Sequence, residues 1–357
     1  MIRSRTAVVH EIIEQDDNTT EILIKSEDGF HKAINYNRIT GSVRVNDKIL
    51  VNTNATYLSL GTGGYDYVIS NISNGRTDFD FEKGHIIKLR YTPMQIRCLA
   101  VEEEDSPYHQ TLKDKYSVEG LKVIILPLHS MLAPAVHILK QLKESIRISY
   151  IMTDSACLPL SFSKTVKDLK RQQLLDSTIT SGQSFGGDFE AVNLYSALVT
   201  AKYVCTCDIA IVSPGPGVVG TNTLLGFSGA EGGALIDAVN LMKGMAFYVP
   251  RISFSDRRER HYGLSHHSIT VLSRLAFSRA HIALPLLSEE KKQVIIEQLN
   301  KNKLYKKHDI QFVQENVIDM LRQRNVKVNT MERGLEEDPE FFRTVGSSVI
   351  LAMNISE

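Results

Sequence analysis

Apolar positions in the first quarter of the chain come in short runs. Segments 6–14, 20–26, 48–52 and 65–70 are rich in Val, Ile, Thr and Tyr, with turn residues such as Asp16-Asp17-Asn18, Asp28-Gly29 and Asn46-Asp47 between them. None shows a helical period, so residues 1–92 are predicted to form a small β-barrel-like or sandwich domain. The run Gly61-Thr62-Gly63-Gly64 reads as a tight turn or bulge within it.

The pattern changes near residue 95. Apolar segments at 96–101, 123–126, 146–152, 178–180, 209–212, 246–250, 281–286 and 310–313 predict strands. Between them apolar residues recur at helical spacing: Ala135, Leu139 and Leu142; Val166 and Leu169; Val192, Ser196 and Val199; Leu235, Val239 and Met242; Ile269, Leu272 and Ala276; Val294, Ile295 and Leu299; Val317, Ile318 and Leu321. A last helix starts at Asp338 as N-cap with Pro339 in its first turn, and buries Phe341, Phe342 and Val345. Strands that alternate with helix-sized connections predict a mainly parallel open sheet with helices on both faces, a Rossmann-like α/β domain over residues 93–357.

Composition narrows the function classes. Lys+Arg and Asp+Glu each total 41 in 357 residues, which gives no basic bias toward nucleic acid or an anionic membrane. No apolar run approaches the roughly 20 residues that span a bilayer. The opening MIRSRTAVVHEIIEQDD reaches acidic residues before a signal-type segment develops, and four cysteines do not make a disulfide framework. A reducing cytoplasm is the expected setting.

The candidate chemistry gathers where strands end. Gly215-Pro216-Gly217-Val218-Val219-Gly220 matches G-x-G-x-x-G after the strand at 209–212. The helix signal waits until Ser228, however, and no ribose-binding carboxylate follows at the usual distance, so an NAD-type dinucleotide is not expected. A glycine loop over 213–228 with backbone donors facing an anionic or polar ligand remains, beside a purely structural long turn. Ser228-Gly229-Ala230-Glu231 fits a capping box, which makes Glu231 a cap before a general base. Arg251, Arg257, Arg258, Arg260 and His261 form the densest basic cluster, just after a strand and just before a helix near Ser265. His129, Ser130 and Asp154 lie at neighbouring strand ends and carry hydrolase-type side chains, although Ser130 stands in no G-x-S-x-G elbow. No metal is expected: Cys205-x-Cys207 is not C-x-x-C, and His266-His267 lack an i, i+4 partner.

Several strings occur together and in order: LGTGGYDYVI, GHIIKLRYTPMQ, ILPLHSMLAP, YIMTDSACLPLSFS, GQSFGGDFEAVN, PGPGVVGTNTLLGFSGAEGG and VPRISFSDRRERHYGLSHH. Up to about residue 285 they resemble an uncharacterised bacterial domain-of-unknown-function family, number 3866. The resemblance implies a bacterial, cytoplasmic protein and brings no catalytic residue with it. The expectation is therefore a protein that binds a small anionic molecule at the carboxyl ends of its strands through Gln183, Asp188, Ser213, Gly215, Gly217, Gly220, Asn222, Arg251, Arg257 and Arg258. Whether it catalyses a reaction stays open. So do a non-catalytic sensor or homo-oligomeric assembly module, and a hydrolase using His129 or Ser130 with Asp154.

Overall fold

Five strands near the N-terminus close into a barrel in the order β1-β2-β3-β5-β4: β1 (Ser4–Gln15), β2 (Thr19–Ser26), β3 (Gly29–Tyr36), β4 (Lys48–Asn52) and β5 (Tyr65–Asn71). The computed structural model describes residues 1–59, 63–75 and 83–355. Gly61 and Thr62 of the glycine run lie outside them. Alternate residues point inward, so Ala7, Val9, Ile22, Ile24, Ile49 and Val51 form the barrel core. Strand β3 is not among the strands expected from the sequence. Its polar and aromatic content hides a register set by its antiparallel partner, with Ser26 opposite Gly29 and Thr19 opposite Tyr36.

The chain divides into two compact units, Met1–Cys98 and Leu99–Glu357. The boundary falls beyond residue 92 because β7 (Ile96–Cys98) pairs antiparallel with β6 (Ile86–Lys88) upstream of it, not with the strands that follow.

The second unit is built on one eight-stranded sheet. Its strands are β8 (Lys122–Ile125), β9 (Ile148–Thr153), β10 (Ser177–Ser181), β11 (Phe189–Ala191), β12 (Ile209–Pro214), β13 (Met245–Tyr248), β16 (His281–Pro285) and β17 (Asp309–Val313). A short antiparallel ribbon of β14 (Ile252–Ser253) and β15 (Gly263–Leu264) lies between β13 and β16 in sequence. The sheet order is β11-β10-β9-β12-β8-β13-β16-β17, and every pairing is parallel. Every residue of β9, β10 and β12 is buried, as expected for strands covered on both faces. Edge strand β11 is missing from the sequence-based reading, which starts the next helix too early. Asn193 and Ser196 cap each other reciprocally, so the helix is Leu194–Tyr203; Val192 stays exposed ahead of it, and Ala197, Leu198 and Val199 are buried. Asp338 does precede the last helix, Pro339–Asn354, but makes no side-chain cap; its carboxylate accepts from Ser253 and Arg333.

Strand residues alternate between two cores. Val123, Ile125, Ala210 and Val212 pack with Leu235, Ile236 and Val239 of the helix Gly232–Leu241. Ile124, Leu126, Ile209 and Ile211 pack with Leu132, Val136 and Leu139 of the helix Leu132–Leu142. Neighbouring strands β8 and β12 therefore send their chains to opposite faces of the sheet. Where two such loops part, a crevice opens at the carboxyl edge.

Candidate functional site

That crevice holds a cavity of about 160 Å³. Pro127 and Leu128 line it from the end of β8, Val218, Val219, Gly220, Asn222 and Phe227 from the loop after β12, and Tyr248 from β13. Arg251, Arg258, Arg260, His261, His267 and Ser268 line it from the segment that contains the β14–β15 ribbon.

The loop after β12 is held by its own hydrogen bonds. Thr221 N donates to Gly226 O (2.8 Å), Gly226 N to Thr223 Oγ1 (3.0 Å), and Val219 N to Ser228 Oγ (3.1 Å). A Cβ at Gly220 would stand 3.2 Å from Cε1 of His267, so that the imidazole, whose ring stacks on Phe227 at 4.1 Å between centroids, would have to give by a few tenths of an ångström. At Gly215 a Cβ would meet the Cys157 carbonyl at 2.5 Å, so this glycine serves packing beneath the loop. The helix Gly232–Leu241 begins only after the 3-10 turn Ser228–Glu231, so the glycine motif does not open a helix. The capping box is not formed either. Ser228 Oγ is engaged by Val219 N, and Glu231 Oε1 accepts from Thr153 Oγ1 (2.8 Å) and Ser155 Oγ (2.6 Å). Burial raises the Glu231 carboxyl above its ordinary value against the pull of those two hydroxyls.

The arginine segment is a network around two buried carboxylates. Asp256 Oδ2 accepts from Arg251 Nη2 (2.6 Å) and Arg258 Nη2 (2.8 Å), while its Oδ1 accepts from Arg258 Nε (2.9 Å). Arg333 Nε donates to Asp338 Oδ2 (3.0 Å), and Arg333 Nη2 stands 3.7 Å from Asp256. The fork from Arg258, with the nearby Arg251 charge, holds the Asp256 carboxyl far below the usual carboxylate range. Arg251 is buried, and its Nε has no hydrogen-bond partner among the described residues. Arg260 is exposed at the cavity edge. Three guanidiniums (Arg251, Arg258 and Arg333) thus meet two carboxylates, and Arg260 adds a further positive charge at the cavity edge.

Three imidazoles meet on the same wall. His261 ends the 3-10 turn Glu259–His261, and His266 and His267 open the helix His266–Thr270; their ligand-capable atoms lie within 4.8 Å of one another. Pairing of Ile252 with Leu264 and Ser253 with Gly263 folds the segment back, which brings His261 beside the helix start. A search for i, i+4 pairs in sequence cannot register that fold-back. Burial, then the Arg251 and Arg258 charges, push His261 down to about 3; burial, then His266 and the arginines, push His267 down to about 4.

The remaining candidates are placed as follows. Gly220, Asn222, Arg251 and Arg258 line the cavity; Gln183, Asp188, Ser213, Gly215, Gly217 and Arg257 do not. Asp188 instead accepts from Thr178 N (2.9 Å) and Thr178 Oγ1 (2.8 Å) and pairs with Lys170. Gln183 N donates to Asp154 Oδ2 (2.9 Å), and Ser213 is a buried strand residue whose hydroxyl donates to Pro214 O (3.1 Å). Arg257 is exposed. His129, Ser130 and Asp154 share no hydrogen bond. Buried His129 binds Ser163 Oγ through Nε2 (2.7 Å) and Pro214 O through Nδ1 (3.1 Å), and Ser130 Oγ donates to Thr330 Oγ1 (3.4 Å). Ser163 meanwhile caps the helix Lys164–Arg171, so the His129 pair braces the sheet edge. Cys157, Cys205 and Cys207 form no disulfide among the described residues, and no helix among them is long and apolar enough to cross a membrane.

Against known proteins, a family model described as Protein of unknown function (DUF3866) matches residues 32–349, a span that leaves out barrel strands β1 and β2 and includes nearly all of the second unit. No curated protein and no solved structure matches the chain.

Proposed function

The chain belongs to that family of proteins of unknown function, so membership supplies no activity, and we propose from the site itself that it binds a small anionic ligand in the β8/β12 crevice. The observation that carries this reading is the convergence of Arg251, Arg258 and Arg260 with the glycine loop on one concave cavity where the strand connections part to opposite faces. At about 160 Å³ the cavity is smaller than the roughly 300–1,000 Å³ of drug-sized ligand sites. It fits a phosphate- or carboxylate-sized ion, or the anionic end of a longer molecule, and not a whole dinucleotide. Gln183 and Asp188 do not line this cavity.

Arg260 is the cleanest test because it is exposed, whereas Arg251 also carries a buried ion pair. Calorimetric titration of the full chain with inorganic phosphate is expected to show saturable binding. Arg260→Ala should weaken it about tenfold or more, the scale of one hydrogen bond to a charged group. Equal affinity in the two proteins, or no binding by either, counts against the reading.

A second reading, assembly through the same loop, is favoured by Val219, Leu224 and Leu225, which stand 67%, 51% and 59% exposed. If the loop joins two copies, light scattering will give a multiple of the 40.0 kDa chain mass. Replacing Leu224 and Leu225 together with serine will then return the monomer. A monomeric parent protein ends that reading.

A further inference from the structure

We propose that His261, His266 and His267 hold a divalent transition-metal ion of the zinc class on the wall of the cavity. Three imidazole nitrogens that already lie within 4.8 Å of one another need only modest ring rotation to converge on one ion, whose nitrogen ligands sit at about 2.0–2.1 Å. Nitrogen donors with no carboxylate among them select zinc-class ions over magnesium or calcium, which take oxygen ligands.

Two further features belong to such a site. The Nδ1 of His261 lies 2.7 Å from Ser265 Oγ; with Nδ1 as donor, this bond fixes the ring and leaves the Nε2 lone pair available to an ion, the arrangement that orients metal-bound histidines. The Nε2 of His266 is buried and has no hydrogen-bond partner among the described residues, a cost that an ion would remove. The helix also continues as a π-helical turn, Val271–Leu275, immediately beyond His266–Thr270, and such turns gather at functional sites.

His261 and His267 line the cavity, so three protein ligands leave the ion with open positions next to the anion site. The surrounding guanidiniums oppose a dication, and an anion in the cavity would offset that repulsion. Ion and anion should therefore each raise the other's affinity by the same factor, a consequence that rests on the anion-binding reading.

The test is titration of the full chain with Co²⁺, read by visible d–d absorption, for the parent protein and for His261→Gln and His266→Gln, with circular dichroism to confirm folding. His266→Gln is the safer variant because its side chain is only half-buried. The expected result is one equivalent of Co²⁺ with a low-symmetry visible band in the parent, and at least a tenfold weaker association in each folded variant. No stoichiometric band in the parent, or a band of equal strength in a folded variant, overturns the site. Phosphate titration of the metal-free parent separates the two proposals: if Co²⁺ fails but phosphate binds, the anion site stands and the metal is withdrawn.

Discussion

Replacing Asp256 with alanine is expected to destabilise the α/β unit by about 3–5 kcal/mol, the cost of removing one partner from a buried ion pair. The side chains of Asp256 and Arg251 are 3% and 6% exposed, and Asp256 also takes the fork of Arg258. Without the carboxylate, the Arg251 guanidinium is left buried beside Arg258 and Arg333, with Asp338 as the remaining counter-charge. A paired change, Asp256→Leu with Arg251→Met, should recover most of the loss, because replacing both charges with apolar groups of similar volume is often neutral. Chemical unfolding followed by helical circular dichroism reports this unit, since the described helices of the first unit, Asn37–Thr40 and Asn54–Tyr57, are single turns. A loss below about 1 kcal/mol for Asp256→Ala would show that the network is not the keystone of the arginine segment.

Acidification should weaken the same unit through His129. Burial pushes His129 down to about 4, against the partial support of the Pro214 carbonyl. In the unfolded chain the imidazole returns to about 6.5. Between those values the unfolded state binds the proton and the folded state does not, so this stabilising contribution is complete above about pH 6.5 and is lost as pH falls toward 4. At 1.36 kcal/mol per pKa unit the loss is on the order of 3 kcal/mol. His137, also pushed down to about 4 by burial and then by Arg324, adds in the same direction. His129→Gln should therefore be less stable at pH 7, because it disturbs the bonds to Ser163 and Pro214, yet lose distinctly less than the parent between pH 7 and pH 4.5. An equal loss in both proteins would mean that His129 is not the proton-linked group.

Much of the fold was legible in the sequence because burial on both faces writes long apolar strands, and strands β9 and β12 are of that kind. Strands β3 and β11 were not legible: each is fixed by its pairing partner, and the sequence of Phe189–Ala191 carries no strand period of its own. Part of the cavity lining was legible too. Gly220, Asn222, Arg251 and Arg258 do meet, since a parallel sheet brings loops distant in sequence to one edge. Asp188 was misplaced because a carboxylate after a strand looks the same whether it faces a ligand or, as here, closes its own turn onto Thr178. Glu231 matched a capping box, but its helix begins one turn later and its carboxylate crosses to the end of β9. The meeting of His261 with His266 and His267 depends on a two-residue ribbon, β14 with β15, too short to leave a periodic signal.

The most direct measurement is anomalous diffraction from crystals of the full chain soaked in tungstate, a heavy analogue of phosphate. An anion site in the β8/β12 crevice predicts a peak inside the cavity, within hydrogen-bonding reach of Arg258 or Arg260 and beside the loop at Gly220–Asn222. A cavity empty of tungstate while the anion occupies other surfaces, or no ordered anion at all, would contradict it.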